Sequence, residues 1–246
     1  MNTKIFHANN CALYFSGKYT NVLIDGLYCG GDRIKKAGMS PMPADYINMA
    51  ETGSGIFKDL DLLLFTHNHP DHYDLRKICD HLDRNRELKY FAPEDPLNNI
   101  CISDENGIDF LEVKDLKIDI IKSSHIHIRN AAGKTPHNCY MLNFDNECFF
   151  IAADAVLNKD MYLQMQKAFI KKKIKCAFVN IIQIMSADGQ EFNKMLAPEH
   201  VVLYHVPETE DDTLNYLAMI KYFEKHCPED MPPPETAEHM SWLKIA

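Results

Sequence analysis

The sequence passes from an apolar run directly into a cluster of potential metal ligands at Leu62-Leu63-Leu64-Phe65-Thr66-His67-Asn68-His69-Pro70-Asp71-His72. The apolar run from Asp61 to Phe65 predicts a buried strand, and loops at strand ends are where functional side chains are commonly placed. Imidazole nitrogen and carboxylate oxygen are the ligands that Zn²⁺ and similar divalent ions prefer. An ordinary surface loop has no need of three imidazoles and a carboxylate so close together. The stretch therefore predicts a metal site at the end of a strand.

The residues around this cluster predict how it is presented. A strand places alternate side chains on one face, so His67 and His69 can face one metal while the following turn directs Asp71 and His72 toward a second. Asp74 is typical of a helix N-cap. The helix after it has its predicted buried face at Leu75, Ile78, Cys79 and Leu82. The expected order is strand, ligand loop, helix.

The pattern His-x-His-x-Asp-His after a hydrophobic strand resembles the metallo-β-lactamase fold superfamily. The resemblance implies further ligands at the ends of later strands, and the chain has candidates in the expected order at His125, Asp154 and His205. By resemblance, one metal would be held by His67, His69 and His125. The other would be held by Asp71, His72 and His205, with Asp154 between the two metals, and Asp71 and His205 would be the catalytic residues.

The third ligand of the first metal has three candidates in one segment. His125 is preferred because it directly follows the strand Leu116 to Ile121, whereas His127 lies farther into the loop and His137 precedes the next strand. The segment is also rich in cationic and donor groups, and such groups engage phosphate or carboxylate. Substrate contact is therefore predicted for His127, Arg129, Lys134 and His137, although the two cations can also be ordinary exposed residues.

The bridging aspartate lies in the tripeptide Ala153-Asp154-Ala155, where the superfamily usually has Gly-Asp-Thr. Ligation needs only the carboxylate, so the missing hydroxyl is expected to change the hydrogen bonds around the metal and tune it rather than abolish binding. The alternative is that Asp154 only caps a helix starting near Leu157.

Composition sets the remaining expectations. A chain of 246 residues without a compositional break predicts one domain spanning 1–246. The net charge of −9 disfavours nucleic acid as a partner. Scattered cysteines, the absence of a signal-like amino terminus and the absence of a long apolar run predict a cytoplasmic protein that does not enter membranes. The expected partner is a small-molecule substrate, and the oligomeric state is left open.

The pattern of apolar segments favours an α/β chain in which strands dominate. Helices are predicted at about 158–172, 190–196 and 212–226, and 33–58 is predicted to be irregular. The methionine and aromatic residues of 33–58 predict either an active-site flap or side chains that fill core gaps. The resemblance implies the metallo-β-lactamase-like four-layer αββα sandwich, with two mixed β-sheets flanked by helices.

Two adjacent divalent ions predict a hydrolase in which a bridging hydroxide attacks an ester, lactone or phosphodiester bond of a small, anionic substrate. The ligands favour Zn²⁺ and also accept Mn²⁺ or Fe. The layout resembles the short lactonase-type branch that includes ascorbate-6-phosphate lactonase. The alternatives are a nucleic-acid or lipid phosphodiesterase of the same fold, a diiron redox protein, and a metal-binding protein without turnover.

Overall fold

Two β-sheets form the centre of the molecule. The computed structural model describes residues 3–28, 34–35, 38–126, 135–144, 147–166 and 173–245. Six strands form the first sheet, in the order 14-1-2-3-4-5: β1 (Lys4–His7), β2 (Leu13–Ser16), β3 (Asn21–Ile24), β4 (Leu62–Leu64), β5 (Lys89–Phe91) and β14 (Ser241–Trp242). Eight strands form the second, in the order 13-12-11-10-9-8-7-6: β6 (Ser103–Glu105), β7 (Ile108–Val113), β8 (Leu116–Ser123), β9 (His137–Phe144), β10 (Glu147–Ile151), β11 (Ile174–Val179), β12 (His200–Leu203) and β13 (Glu235–Thr236).

Both sheets are mixed. In the first, β1, β2 and β3 pair antiparallel while β3, β4 and β5 run parallel. In the second, β6 to β10 pair antiparallel and β10 to β13 run parallel. Parallel neighbours end at the same edge of a sheet, so the loops after β3 and β4 emerge together, and so do the loops after β10, β11 and β12.

Alternate residues of the strands belong to two different cores. Leu62 and Leu64 belong to the cluster that contains Phe149 and Phe178 of the second sheet, so this cluster fills the space between the sheets. Leu63 belongs to the other cluster, where the outer faces of the sheets meet the helices. The residues from Leu62 to Phe65 are all apolar because this strand is buried on both of its faces. The α/β class and the predicted four-layer sandwich are confirmed.

Six α-helices lie among the described residues: α1 (Ala44–Thr52), α2 (Leu75–Arg84), α3 (Lys159–Met165), α4 (Ile181–Met185), α5 (Ala187–Leu196) and α6 (Tyr216–His226). The Asp74 carboxylate accepts hydrogen bonds from the backbone of Arg76 and Lys77, which confirms the predicted N-cap of α2. Leu75 was predicted to be buried and is 51% exposed. The first turn of α2 is exposed, so its buried face begins one turn later, at Ile78.

The segment 33–58 is not irregular throughout, because it contains α1 and a 3₁₀-helix at Gly55–Phe57. The residue before α1 is Pro43, which has no side chain that can cap it, so the usual signal for a helix start is missing. Met39, Met42 and Tyr46 are buried in the outer core. Core filling is therefore what the described residues show, and the flap stays a prediction. No helix among the described residues has the length and apolar character needed to cross a membrane.

Phe15 of β2 is the aromatic side chain at the centre of the contact between the sheets. Its ring is fully buried and lies 5.4 Å from the ring centroid of Phe149 and 5.8 Å from that of Phe178. We expect Phe15→Ala to lower the free energy of unfolding by about 3–5 kcal/mol, because a cavity remains where both sheets contribute walls. Urea denaturation measures this, with Tyr19→Ala, at a 57% exposed position, as the control. A loss no larger than that of the control would contradict the prediction.

Candidate metal centre

The loop after β4 brings its histidines and aspartate to ligands from distant parts of the chain. The structure gathers two groups in which one ligand atom from each residue lies within 4.8 Å of the others. The first group consists of His67, His69 and His125, and the second of Asp71, His72, Asp154 and His205. All seven predicted ligands are therefore brought together, at the ends of β4, β8, β10 and β12 or in the loops that follow. Their role as ligands is argued below from the geometry.

A single oxygen atom, Oδ2 of Asp154, lies at the centre of both groups. It is 3.4 Å from Nε2 of His72 and 3.7 Å from Nε2 of His205, in the second group. It is also 3.5 Å from Nε2 of His125 and 3.8 Å from Nε2 of His67, in the first group. This position between two sets of imidazoles is the one that the sequence predicted for a bridging aspartate.

The spacing of the atoms within each group fits a divalent ion. For a tetrahedral ion with bonds of about 2.0–2.1 Å, neighbouring ligand atoms are about 3.4 Å apart. Nε2 of His67 and Nε2 of His125 are 3.2 Å apart. In the second group, Nε2 of His205 is 3.1 Å from Nε2 of His72 and 3.4 Å from Oδ2 of Asp71. These nitrogen and oxygen atoms are therefore spaced so that they could hold a divalent ion.

A buried carboxylate that the sequence analysis missed, Asp25, fixes the orientation of two of these imidazoles. It accepts a hydrogen bond from Nδ1 of His72 at 2.9 Å and from the Thr66 hydroxyl at 2.7 Å. The Thr66 oxygen in turn accepts from Nδ1 of His67 at 3.0 Å. With both Nδ1 atoms donating away from the site, it is Nε2 of each ring that faces Asp154, an arrangement typical of histidines that bind metals. Asp25 stands alone after a strand, so no local pattern marked it.

Backbone strain is concentrated around the candidate ligands. Asp25, Ala153 and His205 have φ values of 50°, 45° and 61°, in the left-handed region that non-glycine residues rarely adopt. Each of them directly follows a strand or lies within two residues of its end. Such conformations cost of order 1–3 kcal/mol each and persist where surrounding contacts impose them, most often at functional sites. Here they turn the chain sharply so that the side chains converge.

The two groups differ in the direction of the pKa shifts of their histidines. Burial lowers the pKa of His67 well below its ordinary value, and burial followed by the charge of His125 lowers the pKa of His69. The imidazoles of His67 and His69 are therefore neutral at physiological pH. Neutral imidazole nitrogen is the form that binds a metal.

In the second group the carboxylates reverse the effect of burial. Burial acts to lower the pKa of His205, but Asp154 and Asp71 together raise it. Burial also acts to lower the pKa of His72, but the neighbouring Cys11, Asp25 and Asp71 raise it well above its ordinary value. Without a metal, protons thus supply the positive charge that the two aspartates require. A divalent ion would replace these protons on binding.

His137, one of the three candidates for the third ligand, lies behind the site. It is 2% exposed, its Nδ1 donates to the Ser123 hydroxyl at 2.7 Å, and its Nε2 accepts from the backbone N–H of Asp154 at 3.1 Å. Both ring nitrogens are thus bonded to protein. His137 therefore positions Asp154 in place of the predicted substrate contact, while His125 takes the place beside His67 and His69. His127, Arg129 and Lys134 lie outside the described residues, and their substrate contacts stay predictions.

Cys11, one of the scattered cysteines, is a buried thiol next to the second group. Its sulfur, His72 and His205 form a further set of potential ligands. Burial raises the pKa of the Cys11 thiol to about 12, and its S–H donates to the backbone oxygen of Asp71 at 3.2 Å. The thiol is therefore a neutral hydrogen-bond donor that ties the β1–β2 turn to the ligand loop.

Comparison with known proteins bears on the fold. No family profile and no curated protein matches the sequence. Among solved structures, the chain aligns over its whole length with a mutant of CmlA, a diiron β-hydroxylase from Streptomyces venezuelae. The identity is 13% and the TM-score is 0.67. The chain spans only about half of CmlA, 54% of its length. It also aligns with the metallo hydrolase Igni18 from Ignicoccus hospitalis, at 14% identity and a TM-score of 0.61, covering 98% of this chain and 97% of Igni18.

A third structure carries the name of the fold. It is the metallo-β-lactamase fold protein YhfI from Bacillus subtilis, at 10% identity and a TM-score of 0.55, with 99% of each chain covered. The chain has the metallo-β-lactamase fold. At identities this low the likeness concerns the fold alone, so the function must be argued from the site itself.

The first prediction from this geometry concerns Asp25. We expect Asp25→Ala to weaken metal binding by about 10–100-fold, because His72 loses its acceptor and the acceptor chain of His67 is cut. Competition with a chromophoric chelator measures the affinity. Asp95→Ala is the matched control, since Asp95 also accepts two hydroxyl hydrogen bonds, from Tyr73 and Tyr90, neither of which is a candidate ligand. Equal affinities in the two variants would refute the role of Asp25.

The second prediction concerns stability against pH in metal-free protein. Burial lowers the pKa of His137 from 6.5 to about 3. As the pH falls, His137 therefore takes up a proton in the unfolded chain before it does so in the folded protein. The free energy of unfolding decreases from about pH 6.5 down to about pH 3, at up to about 1.4 kcal/mol per pH unit. We expect His137→Gln to reduce this slope between pH 6 and 4 in urea titrations. The exposed His226→Gln should leave it unchanged, and equal slopes in all three proteins would contradict the prediction.

Proposed function

We propose that this protein is a metal-dependent hydrolase with two divalent ions, and that Asp154 bridges them. The observation that carries the proposal is the convergence of four imidazole Nε2 atoms on one carboxylate oxygen at 3.4–3.8 Å. Lone pairs and carboxylates this close repel each other unless positive charge lies between them. Neutral imidazoles at His67 and His69 and two carboxylates in the second group suit divalent cations. Structures of the same fold include a metallo hydrolase, which supports the proposal.

Different residues of the chain would have different roles in hydrolysis. His67, His69 and His125 on one side, and Asp71, His72 and His205 on the other, would each hold one ion beside Asp154. When bound, the ions lower the pKa of water toward neutrality and stabilise negative charge on a substrate oxygen. Despite burial, His72 and His205 keep the pKa of Asp71 below its ordinary value. Asp71 is therefore a carboxylate at neutral pH and the candidate acceptor for the proton released during hydrolysis.

The expected substrate is a small, anionic ester, lactone or phosphodiester. The support for an anion comes from the sequence, through Arg129 and Lys134 in the segment that follows His125. A lactonase-type substrate rests on the resemblance of the ligand pattern. Zn²⁺ is the expected metal, with Mn²⁺ or Fe as alternatives that the same donors accept.

A second candidate function is diiron redox chemistry, favoured by the similarity to CmlA, a diiron β-hydroxylase. The same nitrogen and oxygen donors bind iron. Two measurements distinguish hydrolysis from redox chemistry. The first is elemental analysis of protein expressed with both zinc and iron supplied, and the second is dioxygen consumption in the presence of a reductant. Two iron atoms per chain with dioxygen consumption would favour redox chemistry over hydrolysis.

The hydrolase proposal is tested by turnover of metal-loaded protein on lactone, phosphodiester and thioester substrates. We expect hydrolysis of at least one class, and we expect His69→Ala and Asp154→Ala to lower kcat/KM by more than about 100-fold, because each removes a donor that holds the ions in place. The control is His226→Ala, an exposed histidine whose Nδ1 donates to the Tyr222 carbonyl oxygen.

The control variant should keep wild-type activity. Hydrolysis that survives in both His69→Ala and Asp154→Ala would overturn the site assignment. Metal-loaded wild-type protein that turns over no substrate of any class would instead favour a metal-binding protein without turnover.

A further inference from the structure

The turn between β11 and α4 holds two buried amide side chains against the candidate bridging aspartate. Asn180 and Gln183 are 3% and 2% exposed. The Asn180 amide donates to Oδ1 of Asp154 at 3.0 Å. The Gln183 amide donates to the backbone oxygens of Ala153 and Ala155, both at 2.9 Å. The two amides therefore hold the residue and both of its neighbours.

The hydrogen bonds leave no ambiguity about which end of each amide faces the aspartate. The backbone N–H of Gln183 donates to the Asn180 side chain at 3.0 Å, so the atom that it meets must be Oδ1 of Asn180. The backbone N–H of Asn180 likewise donates to Oε1 of Gln183 at 2.8 Å. Backbone N–H groups only donate, so both NH₂ groups must point toward Asp154 and its neighbours. This reciprocal capping box at the start of α4 locks a donor onto the carboxylate.

The two oxygens of Asp154 consequently have different partners. Oδ1 is occupied by the Asn180 amide, while Oδ2 alone faces the four imidazole nitrogens. The residue that follows Asp154 is an alanine, which has no side-chain donor to offer. Ala153 adopts a left-handed conformation, and its N–H donates to the Tyr204 hydroxyl at 2.8 Å. Asp154 and the residue before it are therefore held by the β11–α4 turn, by His137 of β9 and by Tyr204, directly after β12.

We propose that Asn180, oriented by Gln183, is the positioning residue that reserves Oδ2 of Asp154 as its metal-facing oxygen. This inference deepens the proposed function and rests on the metal centre described there. Without the Asn180 donor, Oδ1 loses this hydrogen bond, and the turn no longer distinguishes the two oxygens of the carboxylate. Outer hydrogen bonds of this kind typically contribute 10–100-fold to metal affinity.

The variant Asn180→Ser separates positioning from folding. Serine is as good an N-cap as asparagine, and its hydroxyl can accept from the Gln183 N–H, so the start of α4 is retained. Its oxygen stops one bond short of the position of the amide nitrogen and cannot reach Asp154. Asn180→Gly is the second variant, because glycine is also tolerated at an N-cap. The matched control is Asn193→Ser on α5, which removes a fully buried amide that donates to the Gly189 carbonyl oxygen.

The experiment compares these proteins by thermal unfolding without metal, by metal affinity in chelator competition, and by the visible spectrum of Co²⁺-loaded protein. We expect Asn180→Ser and Asn180→Gly to fold, to bind at least one ion about 10–100-fold more weakly, and to change the Co²⁺ spectrum because the coordination changes. Asn193→Ser should lose comparable stability and keep wild-type affinity and spectrum.

Wild-type affinity and spectrum in both Asn180 variants would overturn the inference while leaving the proposed function intact. Metal binding that weakens equally in Asn193→Ser would also overturn it, since the effect would then follow general destabilisation. Wild-type protein that takes up no metal would overturn the proposed function itself and this inference with it.

Discussion

Electrostatic repulsion among the convergent donors is the constraint on which the rest of the structure depends. Four imidazole nitrogens surround one carboxylate oxygen, and a second carboxylate, Asp71, lies 3.4 Å from one of them. Several kilocalories of repulsion or desolvation arise in such a buried cluster unless cations balance it. The surrounding structure fixes the donors in place all the same, through Asp25, His137 and Asn180. Without a metal, protons on His72 and His205 balance part of this charge. A fold that holds these donors together is organised for divalent ions that replace the protons.

The architecture explains how donors so far apart in the chain meet. Both sheets are mixed, and the parallel strands of each bring several carboxyl ends to one edge. Sharp left-handed turns after β3, β10 and β12 then direct Asp25, Asp154 and His205 inward. Their cost is met by the packing of two apolar layers between and outside the sheets. The same fold serves a diiron hydroxylase and a metallo hydrolase, so the fold alone does not choose the chemistry.

The sequence pointed to the candidate ligands because they follow a local rule, in which a polar side chain stands where an apolar strand ends. It also predicted the strand before the ligand loop and the N-cap of α2. The sequence did not reveal residues whose role depends on a partner far away in the chain. Asp25 acts on His72 through space, 47 residues away. Asn180 and Gln183 read as an ordinary helix start. Helix α1 follows Pro43, which has no capping side chain, so the segment 33–58 was predicted to be irregular.

The most direct test of two ions bridged by Asp154 is a crystal structure of the zinc-loaded protein with anomalous scattering recorded at the zinc edge. The account predicts two peaks about 3.5–4 Å apart, as in two-metal sites. One should lie among His67, His69 and His125, the other among Asp71, His72 and His205, with Oδ2 of Asp154 between them. A single peak, or two peaks that do not share Asp154, would contradict the account.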